Sequence, residues 1–208
     1  MAQRYPTIPA ILRRFRENAP YENDQQRVSA FFPPPMKKAF LKGIGDEGKI
    51  RPTDYILGPL YKSHRGVPGD LQVGVTGGRA LQEPAWKAAA RELGEEVGLV
   101  PRSRPELYEL YKGSYTSQYG NKEMQVYDLY INHAIPVLDH QHGAKITQEK
   151  DHPSLKVGCF LYGSKQQVVT FLNKTNIYVY YSTDDTVGLG AFKASDIFQL
   201  INDGEFEG

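Results

Sequence analysis

The sequence predicts an α/β domain, a mixed β-sheet enclosed by helices, over residues 36–208, with an N-terminal extension over residues 1–35. Three observations lead there. Apolar, Tyr-rich runs of strand length recur from Tyr55 to Phe192; capped stretches with a 3.6-residue period interrupt them; and the first 35 residues follow neither rhythm consistently. Ile8 to Phe15 has the spacing of a short helix, and Phe31-Phe32-Pro33-Pro34-Pro35 reads as an extended break. Tyr55-Ile56-Leu57 and Leu60-Tyr61 read as strand, and Leu71 to Thr76 alternates apolar and polar into a pair of glycines. A helix follows from Pro84. Leu107 to Thr116 and Met124 to Asn132 form paired strands turned at Tyr119-Gly120-Asn121. Leu155 to Tyr162 is a strand, after which Ser164 caps a helix to about Leu172. Ile177 to Tyr181 and Val187 to Phe192 complete the sheet, and Ser195 caps a last helix to Ile201.

Composition narrows the function classes. With 208 residues, 40% of them hydrophobic, the chain can bury a sizeable core. Twenty-five Lys and Arg against 24 acidic residues give a net charge of +1, so no overall field recruits nucleic acid, although a local basic patch remains open. The single cysteine, Cys159, excludes an internal disulfide framework and suits a reducing compartment. No apolar run approaches the roughly 20 residues of a membrane span. The N-terminal stretch has no signal-peptide apolar core. Its Arg4, Arg13, Arg14 and Arg16 have a transit-peptide flavour, but early Glu17, Glu22 and Asp24 and scarce serine oppose that reading. A cytoplasmic protein is the expectation.

The chemistry concentrates in residues 77–99, GGRALQEPAWKAAARELGEEVGL. Pro84 fits a first helical position, and Ala85 to Ala90 is strong helix-forming material. Trp86, Ala89, Ala90, Leu93 and Val97 make one apolar stripe, and Gly98 supplies the stop. Glu92, Glu95 and Glu96, spaced i, i+3, i+4, project from another side, more than a quarter-turn away. A solvated surface helix with an ordinary Arg91–Glu95 pair would account for some of this. It does not account for three carboxylates near a helix C-terminus, where the dipole favours cations. A divalent metal among the oxygens would.

These residues resemble the Nudix box, G-x5-E-x7-R-E-U-x-E-E-x-G-U with U a bulky aliphatic residue. Gly77, Glu83, Arg91, Glu92, Leu93, Glu95, Glu96, Gly98 and Leu99 satisfy all nine defined positions across 23 residues. Outside the segment the likeness is one of element order. The resemblance implies a Nudix-type α/β/α sandwich and a metal-dependent pyrophosphohydrolase, in which water attacks the diphosphate linkage of a nucleoside diphosphate joined to a group X. It implies that Glu95 and Glu96 bind Mg²⁺ or Mn²⁺ with help from Glu92, that Arg91 braces the glutamates, that Gly77 lends a carbonyl to the metal, and that Glu83 stands just ahead of the helix. The ions named are hard, take oxygen ligands and retain waters, which suits carboxylates and substrate phosphate.

Substrate signals are weaker. Tyr115 lies 16 residues beyond Leu99, where a tyrosine often marks the dinucleoside-polyphosphate branch of that family. The proline that often marks ADP-ribose hydrolases is replaced by Ser114 and Tyr115, and the coenzyme A and NADH signatures are not visible. Lys62, His64, Arg65 and Arg79 border the expected cleft as candidate phosphate contacts. With Arg13, Arg14, Arg16, Lys37 and Lys38 they form a conceivable RNA track. The expected substrates are therefore a dinucleoside polyphosphate, ADP-ribose or a nucleotide sugar; the alternatives are 5′-cap hydrolysis of mRNA, releasing m7GDP, and a non-catalytic nucleotide-binding module. Glu123, Asp184 and Asp185 are candidate further acids or bases, although Asp184-Asp185 reads equally well as a turn. His140 and His142 have no matching partner pair, and zinc is not indicated. A membrane partner is not expected. A homodimer is, by resemblance, conceivable.

Overall fold

A computed structural model describes residues 11–14, 28–30, 32–45, 49–62, 71–117, 120–136, 155–174 and 186–204. Eleven strands and four helices occur among them: β1 (Leu12–Arg14), β2 (Val28–Ala30), α1 (Pro34–Ile44), β3 (Tyr55–Lys62), β4 (Leu71–Val73), β5 (Thr76–Arg79), α2 (Ala85–Val97), β6 (Leu99–Pro101), β7 (Tyr108–Ser117), β8 (Gly120–Tyr130), β9 (Ala134–Pro136), β10 (Leu155–Gly163), α3 (Lys165–Lys174), β11 (Thr186–Lys193) and α4 (Ala194–Asn202). Nine strands form one mixed sheet with the path β1-β11-β3-β10-β8-β7, and β6 pairs separately with β9. The pairing is antiparallel except for β10 with β8 and β2 with β4.

The sheet forks, and the fork positions everything that follows. Strands β3 and β10 pair only where Tyr55–Leu57 meet Leu161–Gly163. Beyond that point β4 takes the flank of β3 at Leu60–Lys62, while β5 takes the flank of β10 at Lys156–Cys159. The two-residue step Gly74-Val75 carries the chain from one prong to the other, with the Gly74 N–H donating to the Pro59 carbonyl at 3.0 Å.

Alternation along the strands divides the core into two layers. Ile56, Leu60, Val126, Phe160 and Phe192 pack with Met36, Ala39 and Phe40 of α1 and Ile197 of α4. Leu57, Tyr127, Leu129, Cys159, Leu161 and Ala191 pack with Ala88, Ala89, Leu93 and Val97 of α2 and Val168 and Leu172 of α3. The expected α/β architecture, a mixed sheet with helices against it, is therefore present. No helix among the described residues is long and apolar enough to cross a membrane.

Helix α2 begins one residue later than its sequence predicts, with Pro84 at the N-cap, and the Pro84 carbonyl accepts from the Lys87 and Ala88 N–H groups. Gly98 ends it at φ 73°, a left-handed conformation that costs a residue with a Cβ roughly 1–2 kcal/mol. Ser164 caps α3 as expected: its Oγ accepts from the Gln167 N–H at 3.3 Å, and the Gln167 side chain accepts from the Ser164 N–H at 3.0 Å, a reciprocal capping box.

Elsewhere the structure corrects the sequence. Residues 12–14 are not helical; they pair as strand β1 with Gly188–Gly190 of β11, a partner far along the chain that no local spacing reveals. Pro34 and Pro35 are not an extended break but the first turn of α1, where proline's missing N–H needs no partner. Val28, Ala30 and Phe32 are core residues, so the described part of the first 35 residues is built into the sheet and its packing. Tyr55–Lys62 is one strand, so Lys62 lies in β3 opposite Leu71. Leu71–Thr76 is split by the fork instead of running on as one strand. Helix α4 starts at Ala194 with no side-chain cap, leaving Ser195 within its first turn. The strand expected at Ile177–Tyr181 lies outside the described residues.

Leu93 is fully buried between α2 and the sheet. Leu93→Ala is expected to lower unfolding free energy by about 2–5 kcal/mol, read from urea denaturation as a shifted midpoint at unchanged slope.

Candidate active site

The free edge of β5 is covered by polar side chains of α2. Among the described residues β5 pairs only with β10, so Gly77 and Arg79 turn backbone groups outward along the other edge. The Gly77 N–H donates to Glu96 Oε2 at 3.0 Å, and the Arg79 carbonyl accepts from Arg91 Nη2 at 2.8 Å. One carboxylate and one guanidinium thus satisfy the edge as a neighbouring strand would.

Arg91 is the hub. Its Nε donates to Glu83 Oε1 at 2.9 Å, and its Nη1 donates to Glu92 Oε1 at 2.9 Å and to Glu95 Oε2 at 3.0 Å. A planar guanidinium with donors fixed in a fork is the one side chain able to span three carboxylates and a carbonyl together. Burial opposes its charge, but Glu92, Glu83 and Glu95 more than offset this and hold it firmly protonated.

Glu92 lies deeper than its helical position predicts, keeping 9% of its surface exposed. The room comes from Gly78. A Cβ built there would stand 2.1 Å from Glu92 Oε1 and 2.3 Å from its Cδ, so any side chain on Gly78 would expel the carboxylate. Burial pushes the Glu92 carboxyl up to about 7, with Arg91 pulling down and Glu95 and Glu83 pushing further up. Burial likewise pushes Glu96 up to about 8; the charge of Glu92 adds to this, while the Gly77 N–H and the Tyr61 hydroxyl, 3.4 Å from Oε1, lower it. Burial and the same two glutamates raise the Tyr61 hydroxyl out of the titration range, so it stays a neutral donor. Three carboxylates therefore surround one guanidinium, and the fourth, Glu96, sits on the Gly77 N–H.

Beside this edge, at the fork, is a cavity of about 220 Å³ lined by Tyr61, Gly77, Gly78, Tyr115, Met124 and Lys156 among others. The glycines separate it from the carboxylates with backbone alone. The structure thus gathers Gly77, Glu83, Arg91, Glu92, Glu95 and Glu96, sets the Arg79 carbonyl against them, and brings Tyr115 to the same cavity. It does not gather Glu123, which is exposed on β8, two strands from β5, outside the Arg91 network. The Lys62 side chain, Arg65, His64, His140, His142, Asp184 and Asp185 lie outside the described residues. No family model, curated protein or solved structure matches the chain.

Sequence reasoning missed Tyr61, Gly78 and Lys156. Tyr61 is 35 residues from its partner Glu96 and indistinguishable from the other tyrosines by local pattern. Only Gly78, adjoining a recognised box glycine, carried a signal. Among the described residues no three His, Cys, Asp or Glu side chains converge as a ready metal cage, because the carboxylates are divided between Arg91 and the Gly77 N–H.

A pH dependence follows. Glu96 has an ordinary value of 4.5 and about 8 in the fold, so between these the folded state holds more protons than the unfolded one. The stabilising contribution is complete below 4.5 and is lost as pH rises through about 8. In chelator-treated protein, Glu96→Gln should therefore gain stability relative to wild type from pH 5 to about pH 8 and level off above it, measured by urea unfolding. A difference that is flat with pH, or falls, contradicts the assignment.

Proposed function

We propose that the protein is a metal-dependent Nudix-type pyrophosphohydrolase, cleaving the diphosphate linkage of a nucleoside diphosphate joined to a further group. The observation that carries this reading is the clustering of acids at the β5 edge: Glu83, Glu92 and Glu95 share the Arg91 guanidinium, and Glu96 lies beside them on the Gly77 N–H. Partly buried like charges repel, and the neighbouring glutamates accordingly push the Glu92 and Glu96 carboxyls up. A hard divalent ion would relieve that repulsion, and the donor set, carboxylate oxygen alone, is the kind Mg²⁺ and Mn²⁺ accept.

Glu92, Glu95 and Glu96 would hold the ion, competing with the guanidinium for Glu92 and Glu95 and with Gly77 for Glu96. Bound there, it would supply Lewis acidity toward a phosphoryl oxygen and lower the pKa of a bound water. The chain's own residues do the rest. Arg91 fixes Glu83, Glu92 and Glu95 on one plane of donors, so the carboxylates need little reorganisation. Gly77 and Tyr61 hold Glu96 at the cavity wall. Glycines at 77 and 78 admit a phosphate to the backbone without side-chain obstruction, and Tyr115 offers an aromatic wall for a base, worth about 1–3 kcal/mol when stacked. In the reaction water adds to phosphorus, the bridging P–O bond breaks, and the water's proton is lost to solvent or to the leaving phosphate.

Formation of the phosphorylated products should be followed by chromatography with Mn²⁺ or Mg²⁺ over ADP-ribose, diadenosine polyphosphates, nucleotide sugars and capped RNA, ranked by kcat/KM. Glu96→Gln preserves shape and an acceptor for the Gly77 N–H while removing charge. It is expected to lower turnover of the best substrate by about 100-fold or more with folding intact. Near-native turnover in that variant would remove Glu96 from the chemistry, and a wild-type protein that binds nucleotides but hydrolyses none would leave a binding module.

A further inference from the structure

Glu96 is held from both prongs of the fork. Its Oε2 accepts from the Gly77 N–H on β5 at 3.0 Å, and its Oε1 accepts from the Tyr61 hydroxyl on β3 at 3.4 Å. The two bonds differ in kind. The first comes from a backbone group fixed by the pairing of β5 with β10. The second comes from the tip of a side chain and is long for an O–H donor, for which about 2.7–2.8 Å is usual. Slack at this carboxylate therefore lies on the Tyr61 side.

The ring that carries the hydroxyl packs on Gly74. A Cβ there would stand 3.0 Å from Tyr61 Cε2, so the glycine lets the ring lie close to the step between the prongs. Tyr61 also lines the cavity of about 220 Å³, with Met36, Tyr115 and Met124. It is the one cavity-lining side chain, among the described residues, that hydrogen-bonds a carboxylate of the β5 edge. An occupant of the cavity meets the ring, and the ring's hydroxyl meets Glu96.

Resting on the hydrolase reading above, we infer that Tyr61 is a positioning residue that couples nucleotide binding in the cavity to ion binding at the carboxylates. A nucleoside packed against the ring restricts it and holds the hydroxyl on Glu96 Oε1. Oε2 can then exchange the Gly77 N–H for the ion while the carboxylate stays in place. Hydrogen bonds that are long in an empty site commonly tighten in its complex. By linkage the ion strengthens nucleoside binding by the same factor. Ion and nucleotide thus fill the site as a pair, and either alone binds more weakly.

The probes are adenosine and guanosine, which carry no phosphate to bridge to the ion. Mn²⁺ affinity of the full chain, read from the free-ion EPR signal, should rise about 5-fold or more with one of them at saturation. Tyr61→Phe keeps the ring and removes the hydroxyl. In that variant, its fold confirmed by circular dichroism, Mn²⁺ and nucleoside should each still bind and the enhancement should disappear. The Mn²⁺ concentration giving half-maximal turnover should rise about 5-fold, with kcat at saturating Mn²⁺ changed by less than about 2-fold. A hydroxyl with a merely structural role would instead weaken Mn²⁺ binding equally with and without nucleoside. That result, an enhancement surviving in Tyr61→Phe, or none in the wild type, overturns the coupling even where hydrolysis proceeds. A wild type that binds no Mn²⁺ removes the metal-dependent reading, and the coupling with it.

Discussion

The bond from Arg91 to the Arg79 carbonyl, together with the three ion pairs on the same guanidinium, is the constraint on which the site depends. It ties helix α2 to the outer edge of β5 and sets the direction of Glu83, Glu92 and Glu95 at once. Exposed ion pairs of this kind contribute little, about 0–1 kcal/mol each. These pairs are partly buried and share one rigid hub, so their value lies in geometry more than in stability. Lysine could not replace the hub, since a single ammonium cannot address a carbonyl and three carboxylates from one plane.

That constraint works only because the sheet divides. Had β3 and β10 stayed paired along their length, β5 would have had no place on β10, and α2 would have met a closed surface. The fork exposes the edge of β5 where glycine is required: Gly78 leaves space for the Glu92 carboxylate, and Gly77 lends its N–H to Glu96. The backbone of Gly77 and Gly78 also lines the cavity at the fork, together with Tyr115 and Lys156.

Much of this was legible in the sequence, and the divide follows locality. The helix over residues 85–97, its stop at Gly98, the paired strands around residue 120 and the Ser164 cap depend on neighbours within a few residues, and period and capping chemistry reveal them. That Glu83, Glu92 and Glu95 lie near Arg91 was also readable, because one helix and its preceding turn carry all four. What escaped depends on distant pairing. Strand β1 has apolar spacing that suits a helix equally well, and only β11, near the other end of the chain, makes it extended. The break at Gly74-Val75 is invisible in an alternating run, since it arises where two prongs compete for the same segment. The burial of Glu92 ran against its polar character and followed from a missing Cβ on another strand.

The central claim is that a divalent cation occupies the acidic edge and takes carboxylates from Arg91. The most direct measurement is anomalous X-ray scattering from crystals soaked in Mn²⁺. The account predicts a manganese peak within about 2.0–2.6 Å of oxygens from Glu92, Glu95 or Glu96, as for hard ions held by carboxylates, with at least one Arg91 pair broken. A protein that leaves these glutamates on Arg91 and the Gly77 N–H, with no ion among them at saturating manganese, would contradict it.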